Sequence, residues 1–278
     1  MSLTKVEARN AAGNVLVLPF GEPVGGVFIK RLDGLDPVKA SIVTSSFATQ
    51  DGEQYQAARR PARNIVMGLG FAPDWALTTP KSIRDNLYKW FMTKQQSELR
   101  FYEDSGLVVS IVGRCESNDS PRLTSDPDAT ISMYCFLPDF IGMTNNTISG
   151  GSVTDTTEST ANYIGTTDTG FVFTLNVNRT ITGFALYMRG ADGIQYEMDF
   201  VLPSGSMVAG DILKISTVSG RKYATLTHDG VDINVLYAIS PSSPWLNLQP
   251  GANKIRLLIP GGASIPYTIQ YTDKYGGL

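Results

Sequence analysis

Hydrophobic and polar residues alternate along much of this chain with a period of two, which is typical of half-buried β-strands. The alternation is clearest at residues 63–71 in the first half of the chain. Further strands are predicted there at residues 14–18, 26–30, 98–102, 107–116 and 129–137. The turn sequence Glu-Asp-Ser-Gly at 103–106 would join two of these strands in a hairpin. The first half is therefore expected to form an antiparallel sheet.

One segment, from residue 80 to about residue 95, has helical spacing instead. Its apolar face, which is expected to pack on the sheet, consists of Ile83, Leu87, Trp90 and Phe91. Thr79 can cap this helix, and Pro80 suits its first position because an amide hydrogen there would have no intrahelical partner. Lys94 is expected in the last turn, where the helix dipole favours a cation.

A change of composition follows Asp139. Residues 142–165 are rich in Thr, Ser, Gly and Asn, which is typical of a loop at a domain boundary. Beyond it, short strands separated by turn residues are predicted at 170–177, 183–188, 195–202, 212–218, 222–227, 232–238, 254–259 and 267–271. Strands at this spacing favour a β-sandwich.

The predicted fold class is therefore mainly β, with two domains, as the length of 278 residues also suggests. Residues 1–143 are expected to form an antiparallel, β-sandwich-like domain with one packed α-helix. Residues 144–270 are expected to form a second β-sandwich, of the kind found in galectins and carbohydrate-binding modules.

Charge and hydropathy restrict the partners. The formal net charge is −3, and no lysine- or arginine-rich run is present, which argues against binding to a nucleic-acid backbone. No apolar stretch approaches the roughly 20 residues that span a bilayer, so no membrane partner is predicted. The first ten residues do not form a secretory signal, and folding in the cytoplasm of the producing cell is expected.

Catalytic residues are not evident. His228, the single histidine, precedes the turn at Asp229 and is expected to be exposed, without the nucleophile that a catalytic triad needs. Cys115 and Cys135 fall in two strands of a hairpin centred near Leu123. In that register Cys115 faces about residue 131, and the two sulfurs lie about 13 Å apart at about 3.3 Å per residue. We expect two buried free thiols, no metal site, no cofactor and no enzyme activity.

Carboxylates and aromatic residues leave an alternative open. A glycosidase needs two carboxylates about 5 to 10 Å apart, and the sequence does not reveal such distances. The acidic candidates in or near turns are Asp126, Asp128, Asp192, Asp229 and Asp232. The aromatic residues that could stack on a sugar, or simply pack in the sandwich, are Tyr187, Tyr196, Tyr223 and Trp245. A carbohydrate-binding or glycan-depolymerising protein is therefore the alternative function, with Tyr223 and Trp245 as glycan or partner contacts.

Several motifs resemble the N-terminal domain of siphophage distal tail proteins. They are Leu-Asp-Gly-Leu-Asp-Pro at 32–37, Ser-Phe-Ala-Thr-Gln-Asp-Gly-Glu at 46–53 and the strand entry Arg-Arg-Pro-Ala-Arg-Asn-Ile at 59–65. The helix and the aromatic segment 136–140 follow in the family's order. The family's Asp-Pro closing element is absent in its usual order.

The second half is similar to the C-terminal sandwich of the same family. The segment at 245–255 (Trp-Leu-Asn-Leu-Gln-Pro-Gly-Ala-Asn-Lys-Ile) matches the family's Leu-x-Pro-Gly-x-Asn segment before a late strand. Residues 271–278 are similar to family members whose C-terminal segment returns to the first domain. Together these matches cover most of the chain and occur in the family's order.

The resemblance implies a structural protein of the virion, located at the phage tail tip and assembled in the host cytoplasm. The N-terminal domain would form a ring, generally hexameric, that joins the tail tube to the tail tip or baseplate hub and serves as an attachment hub. Its expected partners are other copies of itself, the tail tube protein, the baseplate hub protein, the tape measure protein and a receptor-binding protein. The polar segment 44–63 is expected to be a loop ordered by a neighbouring subunit. Its expected interface residues are Phe47, Asp51, Glu53, Tyr55, Arg59 and Arg60.

Overall fold

The computed structural model describes residues 2–48, 51–122 and 127–278 of the chain. Two units are distinguished: an N-terminal unit of Met1–Met143 with Tyr275–Leu278, and a C-terminal unit of Thr144–Lys274. Strands make up most of the regular structure, which confirms the mainly β fold class. Within the described ranges, no helix is both long enough and apolar enough to cross a membrane.

The N-terminal unit is an antiparallel β-structure with one packed helix. Its elements are β1 (Leu3–Asn10), β2 (Val15–Pro19), β3 (Val27–Asp33), β4 (Ser41–Ser45), β5 (Gln54–Arg59), β6 (Arg63–Phe71), α1 (Pro80–Phe91), β7 (Gln96–Glu103), β8 (Val108–Asp119), β9 (Asp128–Cys135) and the start of β10 (Phe140–Gly151). Their order in the main sheet is β2-β1-β7-β8-β9-β6-β3, and β10 pairs with β8 at Ile141 and Gly142. Alternate residues of these strands form one apolar core, as the alternation in the sequence predicted.

The helix α1 begins where the sequence predicts and ends earlier. Thr79 accepts a hydrogen bond from the Ser82 amide, and the Ser82 hydroxyl accepts one from the Thr79 amide, so the two residues form a capping box. The expected apolar face is buried against the core. The predicted end near residue 95 is wrong, because the helix ends at Phe91 and Lys94 lies beyond it with a φ of 69°. A left-handed residue cannot continue a right-handed helix, and Lys89 instead occupies the last turn.

Arg63, the first residue of β6, is 1% exposed and acts as a donor to several main-chain carbonyls. Its Nε donates to the Pro138 oxygen at 2.7 Å, and its Nη1 donates to the Gly34 and Asp36 oxygens at 2.6 and 2.8 Å. Its Nη2 donates to the Gly276 oxygen. Burial lowers the pKa of this guanidinium. We call Arg63 and these four carbonyl groups the Arg63 clasp.

The final segment, Tyr275–Leu278, is grouped with the N-terminal unit although it follows the whole C-terminal unit in the chain. The Leu278 amide donates to the Leu35 oxygen at 3.1 Å, and Tyr275 and Leu278 pack against the N-terminal core. The Arg63 clasp and this packing tie the end of the segment to the loop that follows β3.

The C-terminal unit is a sandwich of two antiparallel sheets. Its strands after β10 are β11 (Ser159–Tyr163), β12 (Val172–Asn176), β13 (Gly183–Arg189), β14 (Gln195–Val201), β15 (Ile212–Ser216), β16 (Tyr223–His228), β17 (Val231–Asn234), β18 (Gly251–Leu258) and β19 (Pro266–Tyr275). One sheet has the order β17-β16-β15-β12-β19-β10, and the other has the order β11-β18-β13-β14. The apolar residues of both sheets form one core, so the predicted sandwich is confirmed.

Two parts of the predicted element pattern are corrected. Residues 142–165, expected to be a boundary loop, contain most of β10 and all of β11. Thr and Asn residues on the exposed side of a strand gave this segment the composition of a loop. The strand predicted at 232–238 ends at Asn234, and a 3-10 helix follows at Leu236–Ala238.

Candidate assembly and binding surfaces

The segment predicted to be a loop at 44–63 contains a β-hairpin, so that prediction is corrected. Strands β4 and β5 pair antiparallel with Ile42 opposite Ala58 and Thr44 opposite Tyr55, and they form a separate two-stranded sheet. Ten of the eleven residues in the two strands are exposed, on both faces of the hairpin. A lone two-stranded hairpin is marginally stable in water. This hairpin is therefore a strong candidate for a contact with another molecule.

Large apolar side chains on the hairpin are unusually exposed. Ile42 is 62% exposed, Val43 54%, Phe47 57% and Tyr55 64%. Exposed apolar side chains that cluster in this way mark interaction surfaces. Ile42 and Val43 were not among the expected interface residues. They are adjacent apolar residues next to a polar segment, and this sequence feature could have indicated a contact surface.

The expected interface residues are mostly on or near this hairpin. Phe47, Asp51 and Glu53 line a concave surface of about 410 Å³ at its tip, and Tyr55 and Arg59 lie on β5. Thr49 and Gln50 of the 46–53 motif are outside the described residues.

Arg60 has a different position from the other expected interface residues. Both terminal nitrogens of its guanidinium contact the Asp139 carboxylate. The side chain of Asp139 is largely buried. Arg60 therefore fixes the end of the hairpin to the start of β10 within the N-terminal unit.

A second exposed apolar site precedes α1. Trp75 is 75% exposed and Leu77 is 83% exposed, within a turn in which Asp74 accepts hydrogen bonds from the amides of Ala76, Leu77 and Thr78. These hydrogen bonds hold the two apolar side chains outward in a defined geometry. Trp75 and Leu77 were not predicted from the sequence as contact residues. They lie between two prolines in a segment with neither strand nor helix periodicity. Large apolar residues in such a segment were the sequence feature that could have indicated an exposed apolar site.

A third exposed apolar site lies at the end of β9. The rings of Tyr134 and Phe136 form an edge-to-face pair with centroids 5.2 Å apart, and Leu137 beside them is 71% exposed. Aromatic side chains, tryptophan and tyrosine above all, are the usual anchors of protein interfaces. The N-terminal unit thus carries three exposed apolar sites: the hairpin, the Trp75 turn and the Tyr134 pair.

Trp245 and Tyr223, the expected glycan or partner contacts, are not at one site. Trp245 lines a cleft of about 240 Å³ in the C-terminal unit together with Tyr196, Asp168 and Gln249. Tyr223 is 37% exposed on β16 and is not a lining residue of that cleft. Tyr187 instead stacks with Arg256, whose guanidinium carbon lies 4.1 Å from the ring centroid.

His228 is exposed at the end of β16, directly before the turn at Asp229, as the sequence predicted, but it also contacts two carboxylates. Its Nδ1 is 2.7 Å from Oδ1 of the buried Asp211, and its Nε2 is 3.7 Å from the Asp229 carboxylate. Hydrogen bonding to Asp211 raises the pKa of His228. Both ring nitrogens face carboxylates, which favours the protonated imidazole, and among the described residues neither nitrogen contacts a nucleophile as a catalytic triad requires.

The two cysteines are buried free thiols, as expected. Their register differs from the prediction, because Cys115 lies opposite Met133 and a bulge follows it in β8. Burial raises the pKa of each thiol to about 11, so both are protonated at neutral pH and are poor nucleophiles.

Several of the candidate carboxylates have partners. Asp192 accepts from Gln249 and Tyr196, and Asp232 accepts from Thr227 at 2.6 Å. Asp126 and the expected hairpin centre at Leu123 lie outside the described residues. Within the ranges that are described, no group of three or more His, Cys, Asp or Glu side chains is arranged to hold a metal ion.

Comparisons with known proteins agree with this fold. Residues 164–275 match the family model of the siphovirus-type tail component, C-terminal domain. This part of the chain is similar to a siphovirus-type tail component. No curated protein sequence matches the chain.

Solved structures extend the fold match to the whole chain. The SPP1 Dit (gp 19.1) protein, described as a paradigm of the hub adsorption apparatus in phages that infect Gram-positive bacteria, superposes with a TM-score of 0.69 at 15% identity. The match covers 97% of this chain and 98% of that one. A chain of the phage P2 baseplate matches with a TM-score of 0.50 at 9% identity, over 100% of both chains. The resemblance to siphophage distal tail proteins is confirmed by the family model over residues 164–275 and by the fold over nearly the whole chain.

Proposed function

We propose that this tail component assembles through its N-terminal unit into a ring of six copies that joins the tail tube to the tail tip. The observation that carries the proposal is the exposed hairpin of β4 and β5. Its strand edges and apolar side chains lack a covering layer among the described residues of the same chain. In a ring, each hairpin would be covered by the next subunit, and every subunit would make the same contact.

The number of exposed apolar sites indicates how large the interface between neighbouring subunits should be. The hairpin, the Trp75 turn and the Tyr134 pair together provide enough anchors for an obligate interface of about 2,000 Å² or more in total. The fold match to SPP1 Dit, a protein of a hub adsorption apparatus, supports a role as an attachment hub for this chain. The proposed location is the tail tip of the virion, after assembly in the host cytoplasm.

The proposed partners follow from the position of the ring. One face would contact the tail tube protein and the tape measure protein, and the other would contact the tail tip or baseplate hub protein. The C-terminal sandwiches would carry attachment sites for a receptor-binding protein. This role is assembly without catalysis, in keeping with protonated thiols and a histidine held between carboxylates.

Light scattering coupled to size-exclusion chromatography tests the ring. Six chains of 30.1 kDa predict a particle of about 180 kDa, visible as a ring by negative-stain electron microscopy. Replacing both Phe47 and Tyr55 with serine should dissociate it to monomers, because loss of buried aromatic anchors costs about 2 kcal/mol or more at each interface.

The matched control is Tyr237→Ser, which removes a tyrosine that is 67% exposed in the C-terminal unit. This variant should keep the mass and shape of the ring. A wild-type protein that stays monomeric at high concentration would contradict the proposal. An intact ring in the Phe47 and Tyr55 double variant would show that the hairpin is not the assembly contact.

A further inference from the structure

The Trp245 cleft lies between the end of β13 and the segment that precedes β18. Met188 and Leu246 contribute buried apolar surface to it, and Trp245 and Tyr196 contribute half-buried aromatic rings. Lys222 lies over one face of the Trp245 indole, with Nζ 4.9 Å from the ring centroid. The cleft volume of about 240 Å³ is smaller than the sites of drug-sized ligands, which are typically about 300 to 1,000 Å³.

One wall of the cleft is held by a closed set of hydrogen bonds. The Gln249 amide nitrogen donates to the Asp192 carboxylate at 2.8 Å, and its oxygen accepts from the Asp192 main-chain amide at 3.1 Å. The Tyr196 hydroxyl donates to the same carboxylate at 3.1 Å. These hydrogen bonds lower the pKa of Asp192 and raise the pKa of Tyr196. The wall is thus formed before any ligand binds, which reduces the ordering cost of binding.

Gly190 packs closely against Gln249 in the same wall, and only a glycine fits there while Gln249 keeps its position. A Cβ atom built on Gly190 would lie 2.2 Å from Oε1 of Gln249, so a side chain at this position would displace the glutamine. Gly190 is half-buried and lines the cleft. The backbone and the Gln249 side chain therefore fit together at this point of the wall.

Two polar side chains at the cleft are available to a ligand. Asp168 and Asn247 line it, both are exposed, and neither side chain has an intramolecular hydrogen-bond partner within the described part of the chain. A carboxylate accepts hydrogen bonds from two hydroxyl groups, and an amide both donates and accepts. The cleft therefore combines aromatic rings with unused hydrogen-bonding groups.

We propose that the Trp245 cleft binds one neutral pyranose unit of a surface glycan. A pyranose ring has an apolar C–H face that packs on an aromatic ring and a hydroxyl edge that hydrogen-bonds to carboxylate and amide groups. Asp168 and Asp192 make an anionic sugar unfavourable, because a second carboxylate would bring like charges together. The assignment is independent of the ring, since every lining residue belongs to the C-terminal unit.

The test uses the full-length protein and three neutral probes: the methyl glycosides of glucose, galactose and N-acetylglucosamine. Saturation-transfer NMR detects the bound sugar, and titration gives the affinity. At least one glycoside should bind, and Trp245→Ala should weaken it about tenfold or more through loss of the stacking surface. Asp168→Ala should weaken binding to a similar extent by removing a charged hydrogen-bond acceptor.

Asp168 is exposed and has no intramolecular hydrogen bond within the described residues, so its alanine variant is expected to keep the wild-type melting temperature. The matched control for Trp245 is Tyr237→Ala, which removes an exposed aromatic side chain of the C-terminal unit that does not line the cleft, and it should leave the affinity unchanged. The proposal is overturned if none of the glycosides binds the wild-type protein, or if binding persists unchanged in Asp168→Ala. Tighter binding of methyl glucuronide than of methyl glucoside would overturn the neutral-sugar assignment.

Discussion

Arg63 and His228 are two basic side chains with different surroundings. Arg63 is fully buried and donates to main-chain carbonyls from three separate segments. His228 is partly exposed, and the buried Asp211 holds it. The planar guanidinium suits several carbonyls at once because its donors point in fixed directions. A single contact of this type would not have offset the desolvation of the charge.

The His228 pair predicts a pH dependence of stability. Asp211 raises the folded-state pKa of His228 above that of the unfolded chain, so the pair stabilises the fold fully below about pH 6.5. This contribution is lost as the pH rises through the folded-state pKa. His228→Gln should therefore lower the melting temperature at acidic pH and change it less at alkaline pH. The expected effect is small because the imidazole is partly exposed.

NMR provides the direct measurement, because His228 is the only histidine in the chain. Its imidazole resonances should titrate above the value of a free histidine in wild-type protein and shift downward in Asp211→Asn. A melting-temperature difference between wild type and His228→Gln that stays constant with pH would rule out this linkage.

Features of single residues were predictable from the sequence where local composition determines them. Two buried thiols were predictable from their apolar strands, but the Cys115 register was not, since the bulge after Cys115 is invisible to a count of residues. The contact joins His228 at the end of β16 to Asp211, the residue before β15, which is 17 positions away in the chain. No spacing rule in the sequence predicts such a pairing.

At the scale of elements, the hairpin of β4 and β5 shows why alternation fails to identify some strands. A strand buried on one face alternates, but this hairpin is exposed on both faces and therefore has no apolar period. The residues expected at the interface were nevertheless chosen within this segment. In contrast, residues 63–71 were predicted with the observed bounds of β6, whose burial alternates along much of its length.

The cap of α1 gives a prediction at the same scale. Thr79→Ala removes the side-chain oxygen that accepts from the Ser82 amide, and it should destabilise the N-terminal unit by about 1 kcal/mol. Chemical denaturation followed by circular dichroism measures the change. Thr78→Ala is the control, because the Thr78 hydroxyl makes one long, exposed hydrogen bond to the Asp74 oxygen at 3.3 Å. Equal losses in both variants would contradict a specific role for the cap.

At the scale of the whole molecule, the two units have separate apolar cores. The sequence predicted the mainly β class and the sandwich because both follow from repeated local patterns. It did not predict the Arg63 clasp, which joins residues 213 positions apart. Long-range contacts of this kind depend on the folded topology of the chain.

Deletion of residues 276–278 tests what the final segment contributes. The truncated protein loses the Gly276 carbonyl of the Arg63 clasp and the Leu278 contacts, so the N-terminal unit should lose about 3 kcal/mol of stability. Hydrogen exchange followed by mass spectrometry should accelerate in β3 and β6. Strands β13 and β18 of the C-terminal unit are the internal control and should keep their protection.

An unchanged exchange pattern in β6 would show that the clasp is dispensable. Faster exchange in β13 and β18 to the same extent would also count against a local role for the final segment.

The position of this segment in the chain has a consequence for biosynthesis. The ribosome makes residues 144–274 after the last long stretch of the N-terminal unit and before the segment that completes it. At about 5 to 20 residues per second, this delay lasts roughly 7 to 26 s. Until then, Arg63 lacks the Gly276 carbonyl as a partner. A nascent chain that stops within the C-terminal unit therefore lacks the segment that completes the N-terminal unit. Only chains translated to the end can form the complete N-terminal unit.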